Sequence, residues 1–146
     1  MEKYRIKIEK HANVLEKVGF SPVASRIYLY LLFAKQNEST FEELVDYFGV
    51  SKSAVSNGIK FLQNVHLVMS VTKNGKRRRY FKVDLEGNTG VAHAVARLQE
   101  MKAILEDVHK ATGSVVKGDL HKLIRYYEMM LVEYPAILEK WRKAVK

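Results

Sequence analysis

The chain has 146 residues, with 25 Lys and Arg against 16 Asp and Glu, 47% hydrophobic residues and no cysteine. That length suits one compact subunit able to bury about two-thirds of its unfolded surface. The composition excludes a disulfide scaffold, a thiol nucleophile and a Cys-based zinc site. The longest apolar run, Ile27 to Ala34, is too short to cross a membrane, and the N-terminus lacks the pattern of a secretory leader, so a cytoplasmic protein with no membrane partner is expected.

Residues 2 to 18 read as a helix, because Tyr4, Ile8, His11, Leu15 and Val18 recur every three or four positions and make one apolar stripe. So thin a stripe calls for a partner surface. Gly19 ends this helix. Ser21-Pro22 starts the next, with Ser as cap and Pro at the first helical position. Val23, Ile27, Tyr30, Leu31 and Ala34 line its inner face, and Arg26 is expected to pair with Glu42 or Glu43. Gln36 to Ser39 reads as a loop or a short strand.

The stretch from Thr40 to Val83 organises the rest. Thr40 with Glu43 three positions on forms a capping box. Phe41, Leu44, Val45 and Phe48 then share one helical face, and Gly49 ends the helix. Ser51 to Asn64 forms a second helix, with Val55, Ile59 and Leu62 inward and Lys52, Ser53, Ser56, Asn57 and Lys60 outward. A short helix, a Gly turn and a helix with a small, polar, basic outer face suit the major groove of DNA. Val68 to Thr72 and Arg78 to Val83 favour strand, with the hairpin dipeptide Asn74-Gly75 between them. Lys73, Lys76 and Arg77 fall at the tip, followed by Arg78 and Arg79.

Charge is concentrated in the same place. From Ser51 to Val83 there are eight Lys and Arg and no Asp or Glu; the remainder holds 17 basic residues against 16 acidic ones. A basic block laid over a helix-turn-helix pattern is a footprint for phosphates.

Leu85 to Gly90 reads as a linker. From about Thr89 to Ala111 a long helix carries Val91, Ala94, Leu98, Met101, Leu105 and Val108 as a heptad seam. Asp119 can cap a further helix with Leu120, Leu123, Ile124, Tyr127 and Leu131 on one face. Pro135 should bend or split it, with Ile137, Leu138, Trp141 and Val145 continuing beyond. The expected fold class is therefore mainly α with a small β-hairpin wing. A winged helix-turn-helix head over 20–84 stands between an N-terminal dimerisation helix over 1–19 and a C-terminal helical dimerisation region over 85–146. A homodimer would set two reading helices about 34 Å apart, one turn of DNA.

Three segments also carry a family resemblance: Leu44-Val45 with Gly49 to Ser56, Leu62 and Leu67-Val68; Gly19 to Pro22 with Ser25 to Tyr28; and Gly75 to Phe81. Together they resemble the MarR superfamily of winged-helix transcriptional regulators, most closely its GbsR-type branch, over roughly residues 14 to 84. Val45 stands where the family often has Ala, and His66 where a Gly often ends the recognition helix, so that end is expected either to be a looser cap or to hold His66 in the left-handed region. The resemblance implies a DNA-binding regulator controlled by a small molecule, quaternary ammonium compounds among them. That chemistry needs an aromatic cage, for which Tyr4, Tyr28, Tyr30, Tyr126, Tyr127, Tyr134 and Trp141 are candidates, but core and interface packing is the favoured reading of the same rings.

The reading is thus a regulator that binds double-stranded DNA through Ser51, Lys52, Ser53, Ser56, Asn57, Lys60, Lys73, Lys76, Arg77, Arg78 and Arg79. A winged helix can instead bind RNA or a protein partner. The acid-free basic face argues against a protein, and the absence of aromatic residues on that face argues against sequence-specific RNA. No enzyme, cofactor or metal is expected, because His11, His66, His93, His109 and His121 lack ligand spacing and no phosphate loop or nucleophile motif occurs.

Overall fold

A computed structural model describes residues 1–75, 77–85, 88–113 and 119–145, with 88–92 described by backbone alone. The chain divides into two compact units, Met1–Gly90 and Val91–Lys146.

In the first unit a 3-10 turn, Glu2–Tyr4, leads into α1, Arg5–Lys17. Ile8 and Ala12 are fully buried and Leu15 is half-buried, while His11 and Val18 are exposed. The inward stripe therefore runs through Ala12 instead of His11, and Val18 leaves it because the helix has already stopped. Tyr4 stacks on Phe33 with ring centroids 4.6 Å apart. Helix α2, Pro22–Phe33, starts as expected: the Ser21 hydroxyl accepts the Ala24 amide at 3.2 Å and Pro22 follows it. Arg26 does not reach Glu42 or Glu43. Its Nε and Nη2 donate to the Glu9 carboxylate at 2.9 and 2.8 Å, and its Nη1 pairs with Glu16 at 3.3 Å. Packing of α1 on α2 brings those two carboxylates alongside, whereas Glu43 is engaged in the capping box. The guanidinium holds the Glu9 carboxyl below the usual glutamate range.

Strand β1, Glu38–Thr40, precedes α3, Phe41–Phe48, and α4, Lys52–Asn64. Strands β2, Val68–Thr72, and β3, Arg79–Val83, complete a three-stranded antiparallel sheet in the order β1-β3-β2. The last rung of the hairpin is Thr72 opposite Arg79, so six residues lie between the strands. Asn74-Gly75 turns within that longer loop; positive φ occurs at Gly75 but not at Asn74, so the two-residue turn suggested by the dipeptide is not formed. The core joins Ile27 and Leu31 of α2, Leu44 of α3, Val55, Ile59 and Leu62 of α4 and Phe81 and Val83 of β3. Gly58 lets α4 approach α2 closely, since a Cβ there would lie 2.9 Å from Ile27 Cδ1 and 3.3 Å from the Ala24 nitrogen.

The second unit contains α5, Asn88–Thr112, and α6, Asp119–Ala144. Ala94, Leu98 and Leu105 of the seam are half-buried, Met101 and Val108 are exposed, and the Val91 side chain lies outside the described residues. Helix α6 is not split at Pro135; it is one helix through that residue. A proline removes one amide from the ladder, and turns formed on either side can carry the helix past the missing bond. Among the described residues no helix is long and apolar enough to cross a membrane.

Candidate nucleic-acid interface

The reading head is assembled by local chemistry. Thr40 accepts the Glu43 amide at 3.2 Å, and Glu43 returns a carboxylate to the Thr40 amide at 3.3 Å, so the expected capping box fixes the start of α3. Gly49 ends α3 at φ 62° and ψ 26°, the left-handed conformation that favours glycine. The chain turns through Val50, and the Ser51 hydroxyl accepts the Ala54 amide at 3.0 Å to start α4. His66 takes φ 61°, occupying the left-handed position just beyond α4.

This geometry turns Val55, Ile59 and Leu62 into the core and leaves Lys52, Ser53, Ser56, Asn57 and Lys60 exposed on the opposite face. Helix α4 carries no carboxylate side chain. Its N-terminus also offers free backbone amides and the positive end of the helix dipole to an anion. Two lysines, two small hydroxyls and an amide on one exposed face can meet phosphates and base edges.

In the wing, Arg77, Arg78 and Arg79 are exposed, while Lys76 lies outside the described residues. With Phe41, Glu42 and Phe81 these three arginines line an open hollow of about 440 Å³ beside α3. Lys73 differs from them. Its ammonium pairs with the Glu38 carboxylate and lies 4.2 Å from the centre of the Tyr80 ring. Glu38 escaped the charge pattern because it precedes the acid-free stretch; antiparallel pairing of β1 with β3 carries it to the base of the wing.

The aromatic candidates fall into two groups. Tyr4, Tyr28 and Tyr30 belong to the first unit, where Tyr30 packs edge-on against Tyr47 at 4.7 Å and burial raises the pKa of Tyr28 and Tyr30. Tyr126, Tyr127, Tyr134 and Trp141 belong to α6 of the second unit. The first unit also has a cavity of about 710 Å³, walled by Tyr4, Tyr30, Phe33 and Tyr80 with Glu38 and Glu43. Among the described residues no group of His, Asp or Glu could hold a metal ion.

Residues 15–86 match the family model of the sugar-specific transcriptional regulator TrmB. The matched stretch is 72 of the 146 residues and takes in α2 to α4 and the wing, so this part of the chain is similar to a TrmB-type transcriptional-regulator domain. No curated protein matches the chain. A solved structure described as a transcriptional regulator has 17% identity and a TM-score of 0.69 over 94% of this chain and 91% of its own, and so shares the fold. Two further structures give a TM-score of only 0.46. One is a transcriptional regulator from Thermotoga maritima, 19% identical over 99% of this chain and 94% of its own. The other is a MarR family regulator from Streptomyces coelicolor in complex with DNA, 14% identical over 90% and 80%. With its likeness to the TrmB model, its winged-helix fold and the exposed basic face of α4, the chain is a DNA-binding transcription regulator.

Proposed function

We propose that the chain works as a homodimer that lays α4 of each copy in successive major grooves and places each wing in the neighbouring minor groove. The observation that carries this reading is the exposed face of α4, where Lys52, Ser53, Ser56, Asn57 and Lys60 stand together with no acid on the helix. Asn57 is assigned the base contact, because its amide can pair bidentately with adenine. Ser51 and Ser53 are assigned to phosphates, with Lys52, Ser56 and Lys60 flanking them. Arg77 is assigned to the minor groove, where negative potential draws a guanidinium, and Lys76, Arg78 and Arg79 to backbone phosphates.

Dimerisation is supported by apolar side chains that the single chain leaves in water. Ile104, Met129, Val132 and Ile137 of the second unit are 57%, 61%, 73% and 56% exposed. A twofold partner would cover them and match a roughly palindromic site. Control by a small molecule is part of the same reading, with the cavity beside Tyr30 and Tyr80 as its candidate place. The likeness to the GbsR-type branch favours a quaternary ammonium effector, whereas the description of the TrmB model favours a sugar. The cavity is the proposed place whichever of the two ligands it takes.

Arg77→Ala tests the wing. It should weaken duplex binding about tenfold and lower the slope of log affinity against log salt by about one. Unchanged affinity and slope would remove the wing from the interface. Binding single-stranded RNA more tightly than duplex DNA across the same salt series would favour the RNA reading.

A further inference from the structure

A wing can enter a groove reproducibly only if its base is fixed, and that base has an unexpected fastening. The sheet register sets Glu38 opposite Lys82, and Thr40 and Val71 opposite Tyr80. Directly opposed residues project to the same face, so Glu38 and Tyr80 share one face of the sheet. Lys73 is the first residue past the last rung of β2, and it continues the alternation of Met69 and Val71 onto that face. Its ammonium lies over the Tyr80 ring of the central strand and ends on Glu38 of the opposite edge strand. The side chain thus crosses the whole sheet.

Its anchor is rigid. The Glu38 side chain is only 11% exposed, and the next two residues, Ser39 and Thr40, are 2% and 1% exposed and lead straight into the α3 capping box. A carboxylate so enclosed is costly to leave without its counter-charge. The ion pair also raises the Lys73 pKa above the ordinary lysine value, which keeps the ammonium charged.

We propose that Lys73 is a positioning residue for the wing, strapping the base of the six-residue tip to Glu38 across Tyr80, and not a phosphate contact. This assignment rests on the reading that the wing meets DNA. Leaving the strap for a phosphate would strand Glu38, whereas staying in it fixes the direction in which Arg77 and Arg78 are presented.

The sign of one substitution separates the two roles. Glu38→Gln removes a negative charge from a protein that binds a polyanion, so long-range electrostatics alone would tighten binding. The strap predicts the opposite, a loss of about fivefold or more. The test uses the full chain, a duplex recovered by in vitro selection with the wild-type protein, and thermal unfolding of every variant. Glu38→Gln and Lys73→Met should each weaken binding, and the swap Glu38→Lys with Lys73→Glu should restore most of it. Because the strap acts through the tip, adding Glu38→Gln or Lys73→Met to Arg77→Ala should cost little more. Equal or tighter binding by Glu38→Gln would overturn the proposal, as would losses that add in full to Arg77→Ala. If Glu38→Gln unfolds, Lys73→Met on the Arg77→Ala background decides by the same criterion. If Arg77→Ala alone has no effect, the wing reading fails and the strap falls with it, an outcome distinct from failure of the strap by itself.

Discussion

The two units differ in how much apolar surface they bury, although the first also leaves Ile6, Val14 and Val18 at its N-terminal end and Leu85 exposed. The first gathers fourteen buried apolar residues into one cluster that includes every helix from α1 to α4 and strands β2 and β3. The second, among its described residues, buries only Ile124 and Leu138 as deeply and leaves nine large apolar side chains, from Met101 to Val145, at 42% exposure or more. Apolar area left in water is a standing cost of about 25 cal/mol per Å². The first unit has the makings of a self-contained reading module; the second has those of half an interface. On the proposed reading, recognition falls to the first unit and much of the assembly surface to the second.

Breaking the second unit should therefore have the largest functional effect while sparing the first. Leu98→Glu with Leu105→Glu places two charges in the α5 seam. Sedimentation should then show monomers, and duplex affinity should fall by roughly a hundredfold or more, because two linked heads gain that order of avidity over one. A dimer that survives both substitutions would place the interface elsewhere.

The converse change sharpens the comparison. Leu44 of α3 is fully buried in the first unit. Leu44→Ala should lower the unfolding free energy by about 2–5 kcal/mol, read by denaturant titration, while leaving a folded dimer under native conditions. A loss below about 1 kcal/mol would mean that the head's core collapses around the gap or was never tightly packed.

Much of the head was legible in the sequence because it is fixed locally. The Thr40 and Glu43 capping box, the left-handed Gly49, the Ser51 cap and the left-handed His66 each involve neighbours within a few positions. The outward face of α4 followed from helical periodicity alone. What was missed needed long-range pairing. Arg26 finds Glu9, seventeen positions earlier, and not Glu43, because α1 lies on α2. Lys73 finds Glu38, thirty-five positions earlier, because β1 joins the far edge of the sheet. A charge count along the chain makes Lys73 one more free cation; only the strand order shows that it is paired. The turn at Asn74-Gly75 was placed correctly, but the dipeptide cannot tell how many rungs close below it, and the ladder stops at Thr72 and Arg79. At Pro135 only the split was ruled out: the loss of one amide bond weakens a helix locally without deciding whether the residues around it stay helical.

The most direct test of the account is the stoichiometry on DNA. The full chain bound to a selected duplex should give a complex whose sedimentation mass contains two copies, and protection of the duplex should fall in two half-sites about one helical turn apart. One copy per duplex, bound as tightly to an isolated half-site as to the full site, would contradict it.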